Sequence, residues 1–254
     1  MDLSKKTKKI LIFSLAYFPN VGGAEVAIKE ITDRILGIEF DLISFNLNKN
    51  SASFEKIGNV NVYRVGGAKS LYPVTAFWKA YSLHKKNNYD LIWSMMAAHA
   101  GFAGLFFKNV FPKVPFLLTL QEGDPEEHIL KRVGIFYPLW REIFRRANFI
   151  QAISNYLAEF GKKYGAKCPV EVVPNGVDIK KFQTFEISPE EIRKELGLKT
   201  SDKVLIHTGR IVTKNALGDI VKSLAFLPSE VKFLNVGGGG DKQQLMDIAK
   251  SAGV

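Results

Sequence analysis

Residues 10–35, ILIFSLAYFPNVGGAEVAIKEITDRI, constrain the fold more than any other stretch of this chain. The apolar run from Ile10 to Phe18 reads as a buried strand and its end, and the chain then narrows to Gly22 and Gly23. Ala24, Ala27, Ile28, Ile31 and Ile35 follow at spacings of three and four, which puts them on one face of a helix. Such a strand, glycine pair and helix can handle phosphate. The first turn of a helix carries unpaired N–H groups and the positive end of its dipole, and residues without a Cβ let an anion approach closely. A glycine pair also serves a plain tight turn, and this one is neither a GxGxxG fingerprint nor a Walker loop.

The rest of the chain alternates strand and helix. Residues 40–45 and 60–65 read as strands joined by a polar connection at 46–58, and 72–86 as a helix. A strand at 89–94, a helical stretch over 101–107 and a strand at 115–120 follow. One long helical segment is predicted from about 129 to 146, then a strand at 149–153, a helix at 154–164 with Ser154 as its N-cap, and a strand at 170–173. Parallel strands need crossovers and helices supply them, so the alternation predicts an α/β fold with a parallel sheet and helices on both faces. Pro174, Asn175 and Gly176 cannot continue a strand, which divides the chain into domains at 1–176 and 177–254. The second begins with Ser188, Pro189 and Glu191, a capping box with proline at the first helical position. Strands at 203–207 and 231–236, helices at 217–226 and 241–252, and a tight turn at 237–240 complete it. Two strands leave apolar edges uncovered, so the chain is expected to be the front part of a longer protein.

A net charge of +10 points to anionic partners: nucleic acid, anionic lipid or a phosphorylated small molecule. No recognition helix or aromatic sheet motif backs nucleic acid, which is not expected as a partner. Cys168 is the single cysteine, which excludes an intramolecular disulfide and fits a reducing, cytoplasmic compartment. Four scattered histidines give no zinc-site spacing. Lys5, Lys6, Lys8 and Lys9 before the first apolar run imitate a signal peptide, but no small-residue cleavage site follows, and they read as a solvated lead-in. No run approaches the roughly 20 apolar residues of a membrane span.

Four stretches, in this order and spacing, resemble the retaining GT-B glycosyltransferases of family 4: FPNVGGAE at 18–25, VPNGVD at 173–178, GRIVTKN at 209–215, and VGGGG at 236–240 leading to Leu245. The resemblance runs from about Lys9 to Val254. It implies two Rossmann-like domains facing each other across a cleft, the second incomplete here, with a nucleotide-activated sugar against the C-terminal one. It implies that Gly22 and Gly23 bring backbone N–H groups to the donor, that Arg210 and Lys214 are catalytic in neutralising the departing diphosphate, and that Gln121, Asn215, Gly237 and Gly238 contact the donor. Asn175 and Gly176 fall at the hinge. No bound metal or cofactor is expected, the nucleotide sugar being a substrate. Three departures stand out. Lys214 comes four residues after Arg210 where the family commonly has five, with Asn215 in the fifth place. Gln121 stands where many members carry a histidine. An acidic pair with seven residues between would lie beyond Val254, so the chain as given is expected to be inactive alone.

The remaining candidates have two readings each. His99 lies just after a strand, where it reaches a ligand cleft or simply begins a helix. Glu122 and Asp124, at a strand's C-terminal end, contact an acceptor or help as a base, or else form a turn and cap the next helix. The basic and aromatic stretch from Lys131 to Arg146 docks on an anionic membrane or folds its aromatics into the core. The expectation is transfer of a sugar from a nucleotide sugar to a glycan or lipid-linked acceptor, with retention, in surface polysaccharide or glycolipid assembly, on the cytoplasmic side and peripheral to the membrane. The rivals are a sugar-nucleotide epimerase or glycan phosphorylase of the same fold, and a noncatalytic subunit that needs a partner.

Overall fold

The computed structural model describes residues 7–48, 51–183 and 187–254. Lys5 and Lys6 of the lysine lead-in lie outside them. The chain divides into two compact units, Met1–Val177 and Asp178–Val254.

The first unit runs β1 (Lys8–Phe13), α1 (Gly23–Arg34), β2 (Ile38–Phe45), β3 (Phe54–Ile57), β4 (Val60–Val65), α2 (Tyr72–Asn87), β5 (Leu91–Met95), α3 (His99–Val110), β6 (Phe116–Leu120), α4 (Glu126–Val133), α5 (Tyr137–Arg146), β7 (Phe149–Ala152), α6 (Asn155–Lys163) and β8 (Val170–Val172). Its sheet has the order β3-β4-β2-β1-β5-β6-β7-β8, parallel throughout except for β3, which runs antiparallel to β4. Strand residues alternate between two cores. Leu11, Phe13 and Ile43 face the side built with α2, α3, α5 and α6, whereas Ile12, Phe40 and Leu42 face the side covered by Ala24 and Ile28 of α1. Both faces being covered explains the nearly continuous apolar runs of the central strands.

The order reverses beside β1, which pairs with β2 on one side and β5 on the other, Ile12 lying opposite both Leu42 and Trp93. Connections leaving β1 and β5 therefore diverge, and a crevice opens beyond the carboxyl ends of these strands, the place where open α/β sheets bind ligands.

Four expectations are corrected. The face of α1 continues from Ala24 and Ile28 to Thr32, not to Ile31 and Ile35, which are 36% and 37% exposed. Thr32 can be buried because its hydroxyl donates to the Ile28 carbonyl at 2.9 Å, and the helix ends at Arg34, before Ile35. The connection at 46–58 contains an extra strand, β3, whose alternating exposure fits an edge position; its Phe54 ring packs 4.9 Å from Tyr63. Lys49 and Asn50 of that connection lie outside the described residues. The long helix of 129–146 is two helices. Gly134 takes φ +51° and Pro138 sits in the first turn of α5, where its missing N–H costs nothing. Finally, a short helix opens the second unit ahead of Ser188, where the sequence places its start.

The second unit comprises α7 (Ile179–Gln183), α8 (Pro189–Glu195), β9 (Lys203–Thr208), α9 (Leu217–Leu224), β10 (Val231–Val236) and α10 (Lys242–Ala252). Asp178 supports α7 by accepting from the Lys181 N–H at 3.3 Å. The capping box of α8 is complete: Ser188 Oγ accepts from the Glu191 N–H at 3.2 Å, and Glu191 Oε2 from the Ser188 N–H at 2.9 Å. Strands β9 and β10 pair in parallel, and Ile211, Leu217 and Val221 are buried beside them. Ile206 and Phe226 remain 62% and 88% exposed.

Candidate active site

The crevice of the first unit is built from three strand ends. After β1, the chain reaches Gly22, the extended N-cap of α1, which supplies no side-chain cap to the first helical turn. The unpaired N–H groups of that turn thus face outward at the positive end of the helix dipole, with the Glu25 side chain beside Gly22. A Cβ on Gly23 would stand 3.4 Å from Gln121 Nε2, so the residue following β6 lies against the helix start. Gln121 Oε1 is shielded from solvent and has no partner among the described residues.

Glu122 is the most perturbed acid of the site. Its Oε1 accepts from the Ala97 N–H at 2.6 Å, while Oε2 is shielded with no partner among the described residues. Burial pushes its pKa up to about 7, against the opposing pull of the backbone N–H groups of Ala97, Glu122 and Gln121. Trp140, fully buried on α5, donates its indole N–H to the Ala97 carbonyl at 2.5 Å, so the loop after β5 is held through both of its backbone groups at one residue. Met96, just before, takes φ +70°. Two acceptor oxygens are thus shielded without donors after β6, and Gln121 stands against a helix start that no side chain caps; shielded polar atoms without partners are rare enough to mark a site.

His99 is the first residue of α3, next to this loop, and half-buried. Burial, then the positive charges of Lys69 and Arg132, lower its pKa, which favours a neutral imidazole. Asp124 belongs to another group: its carboxylate accepts from Arg132 of α4 at 2.6 Å, and the N-cap of α4 is Pro125. Asn175 and Gly176 are exposed, just before the division between the units.

The second unit carries the basic turn. Arg210 and Lys214 are both exposed, on the segment between β9 and α9 that includes the 3-10 turn Thr213–Asn215. That turn is fixed from two sides. Asp241, at the start of α10, accepts from the Thr213 N–H at 2.6 Å and hydroxyl at 2.7 Å, which lowers its own pKa. Asn215 donates to the Arg210 carbonyl at 2.7 Å. The glycines after β10 divide by role. A Cβ on Gly237 would meet the Gly209 carbonyl oxygen at 2.1 Å, and one on Gly239 the Ile211 carbonyl oxygen at 2.0 Å, whereas Gly238 has open space. Gly237 and Gly239 thus let two backbone segments touch. A groove of about 230 Å³ lies alongside, lined by Thr213, Leu217, Asp241 and Leu245 among others. Among the described residues no cluster of His, Cys, Asp or Glu side chains is placed to hold a metal ion.

Sequence reasoning passes over Arg64. Its side chain is 3% exposed, donates to the Phe18 carbonyl at 2.7 Å and the Ala52 carbonyl at 2.9 Å, and pairs with Glu55. It anchors the loop that leads to Gly22. The alternation of VNVYRV hides it among strand residues, and its partners are distant in sequence.

Residues 21–181 match Glycosyltransferase Family 4. The chain is 25% identical over 95% of its length to the uncharacterized glycosyltransferase MJ1069 of Methanocaldococcus jannaschii, covering 66% of that protein. It is 22% identical over 96% of its length to the alpha-monoglucosyldiacylglycerol synthase of Streptococcus pneumoniae, covering 58% of that one. Its fold is similar to that of Anabaena Alr3699/HepE in complex with UDP and glucose, with a TM-score of 0.74 at 20% identity over 97% of this chain and 67% of the other. No helix among the described residues is long and apolar enough to cross a membrane. The family match takes in Gly22 and Gly23 and the ends of β5 and β6, and the chain belongs to Glycosyltransferase Family 4, with an α/β fold of the GT-B type.

Proposed function

We propose that the protein transfers a sugar from a nucleotide-sugar donor to a glycan or lipid-linked acceptor, with retention at the anomeric carbon, in the assembly of a surface polysaccharide or glycolipid. The observation that carries the reading is the crevice itself, in which the open start of α1 stands against Gln121 and the next residue, Glu122, keeps one carboxylate oxygen without a partner. The family supplies the reaction class, a solved neighbour binds UDP and glucose, and a relative is named for a glucosylated diacylglycerol.

In this reading Gly22 and Gly23 present N–H groups to the donor, and Gln121 accepts from a sugar hydroxyl. Breaking the sugar–phosphate bond builds negative charge on the diphosphate. Arg210 and Lys214, with Asn215 and the open backbone at Gly237 and Gly238, stabilise that charge more in the transition state than before it. Glu122 holds a hydroxyl through its partnerless oxygen, and its pKa near neutrality lets it take a proton. His99 and Asp124 flank the acceptor side, and Asn175 with Gly176 serves as hinge. Fixed side-chain cations do here the work a metal ion would do. The lone Cys168 fits a cytoplasmic setting, and a lipid-linked acceptor would bring the protein to an anionic membrane surface.

The test is turnover in the double variant Arg210→Ala with Lys214→Ala. Transfer is expected to fall by at least about 100-fold, the scale for losing fixed oxyanion stabilisers, with unfolding little changed. Intact transfer would remove the diphosphate assignment.

A further inference from the structure

The corner between α4 and α5 is an apolar tip flanked by cations. Ile135 is 90% exposed and Phe136 60%, with Tyr137 and Leu139 following at 37% each. These side chains are not overflow from a crowded core, because the same segment buries Trp140, Ile143 and Phe144 completely. Gly134, in the left-handed region at φ +51° and with open space around it, turns the chain so that the 3-10 turn Gly134–Phe136 forms the apex between two helices. Among its described residues α4 has none buried.

Cations precede and follow the tip in the chain. Residues 131–146 hold five cations, Lys131, Arg132, Arg141, Arg145 and Arg146, against Glu142 alone, a net of 5 − 1 = +4. Arg132 leans toward Asp124 at 2.6 Å, and Arg145 and Arg146 share Glu142 at 2.8 and 3.6 Å, so the cations outnumber their counterions. Arg141 lies over the Tyr137 ring, 5.9 Å from its centroid. Large aliphatic and aromatic side chains on a convex apex, with arginines and lysines set back from it, suit the boundary between lipid headgroups and acyl chains. A protein partner would instead have to supply a groove to receive the apex.

We propose that Ile135 and Phe136 form a wedge that enters the headgroup layer of an anionic bilayer, held there by the flanking cations Lys131, Arg132 and Arg141 on lipid phosphates. This deepens the membrane-surface part of the preceding reading, and its test uses no sugar donor or acceptor, so the two can fail separately.

The test is sedimentation of the whole protein with vesicles of phosphatidylcholine alone or with about one-quarter phosphatidylglycerol. The protein is expected to bind the anionic vesicles and to leave them as salt rises. Ile135→Ser with Phe136→Ser, both at exposed positions, should weaken that binding at least about tenfold. Lys131→Gln with Arg132→Gln should weaken it about fivefold for each charge and flatten the salt dependence. Phe136→Trp should show a blue-shifted emission with anionic vesicles only. Failure to bind anionic vesicles would overturn the proposal. So would equal binding by the Ile135→Ser, Phe136→Ser variant, which would leave electrostatics alone. A change in self-association on size exclusion in place of vesicle binding would make the tip a contact between copies of this chain, and would overturn it too.

Discussion

The Ala97 N–H donates to Glu122 Oε1 at 2.6 Å, joining the end of β5 to the end of β6 and leaving the second carboxylate oxygen shielded without a partner. One oxygen is structural and the other is buried without a donor. The same carboxyl has a pKa raised to about 7, first of all by burial.

That shift gives a stability effect with a definite sign. The folded state holds the proton to about pH 7, whereas the unfolded chain releases it near 4.5, so stability falls as pH rises between these values and is level above them. Glu122→Gln keeps an acceptor for Ala97 and cannot ionise. Urea unfolding should show the variant gaining on the original protein from pH 5 to pH 8, by about 1–3 kcal/mol. Parallel stabilities across that range would contradict the burial of this carboxyl.

Arg64 anchors the loop before Gly22 through two carbonyls and Glu55. Arg64→Ala leaves the Phe18 and Ala52 carbonyls without their donor, and Glu55, 40% exposed, recovers part of its hydration. The expected cost is about 2–3 kcal/mol in thermal or urea unfolding, with faster proteolysis between residues 14 and 22. A loop that stays protected in the variant would show that Arg64 does not hold it.

The glycines after β10 offer a paired test. Gly239→Ala drives a Cβ into the Ile211 backbone and should destabilise the second unit by more than about 2 kcal/mol, while Gly238→Ala, facing open space, should cost less than about 1 kcal/mol. If the donor diphosphate lies against this loop, Gly238→Ala should nevertheless weaken donor binding. Equal unfolding by the two variants would contradict the close approach at Gly239.

What can be read from the sequence is local. Ser154 and the Ser188 box announce their helices because cap and capped N–H lie within three residues, and VNVYRV carries its alternation openly. What escapes depends on distant partners. β3 reads as polar loop, since FEKI becomes a strand only by pairing with β4. Thr32 looks like a surface residue until its hydroxyl finds the Ile28 carbonyl. The break at Gly134 is hidden by apolar spacing continuing on both sides of it. The candidate site divides in the same way. Gly22, Gly23 and Gln121 are visible as a strand end and a helix start, but the Ala97–Glu122–Trp140 linkage joins residues 25 and 43 positions apart. Nothing local in sequence separates Glu122 from Asp124, and only the structure turns the latter toward Arg132.

A donor panel tests sugar transfer from a nucleotide sugar outright. The protein as its gene encodes it would be incubated with nucleotide sugars and lipid or glycan acceptors, following release of nucleoside diphosphate and the anomeric configuration of the product. One preferred donor is expected, with diphosphate released in step with product and a product of the donor's own configuration. No diphosphate release from any donor would contradict it, as would release accompanied only by an epimerised free sugar.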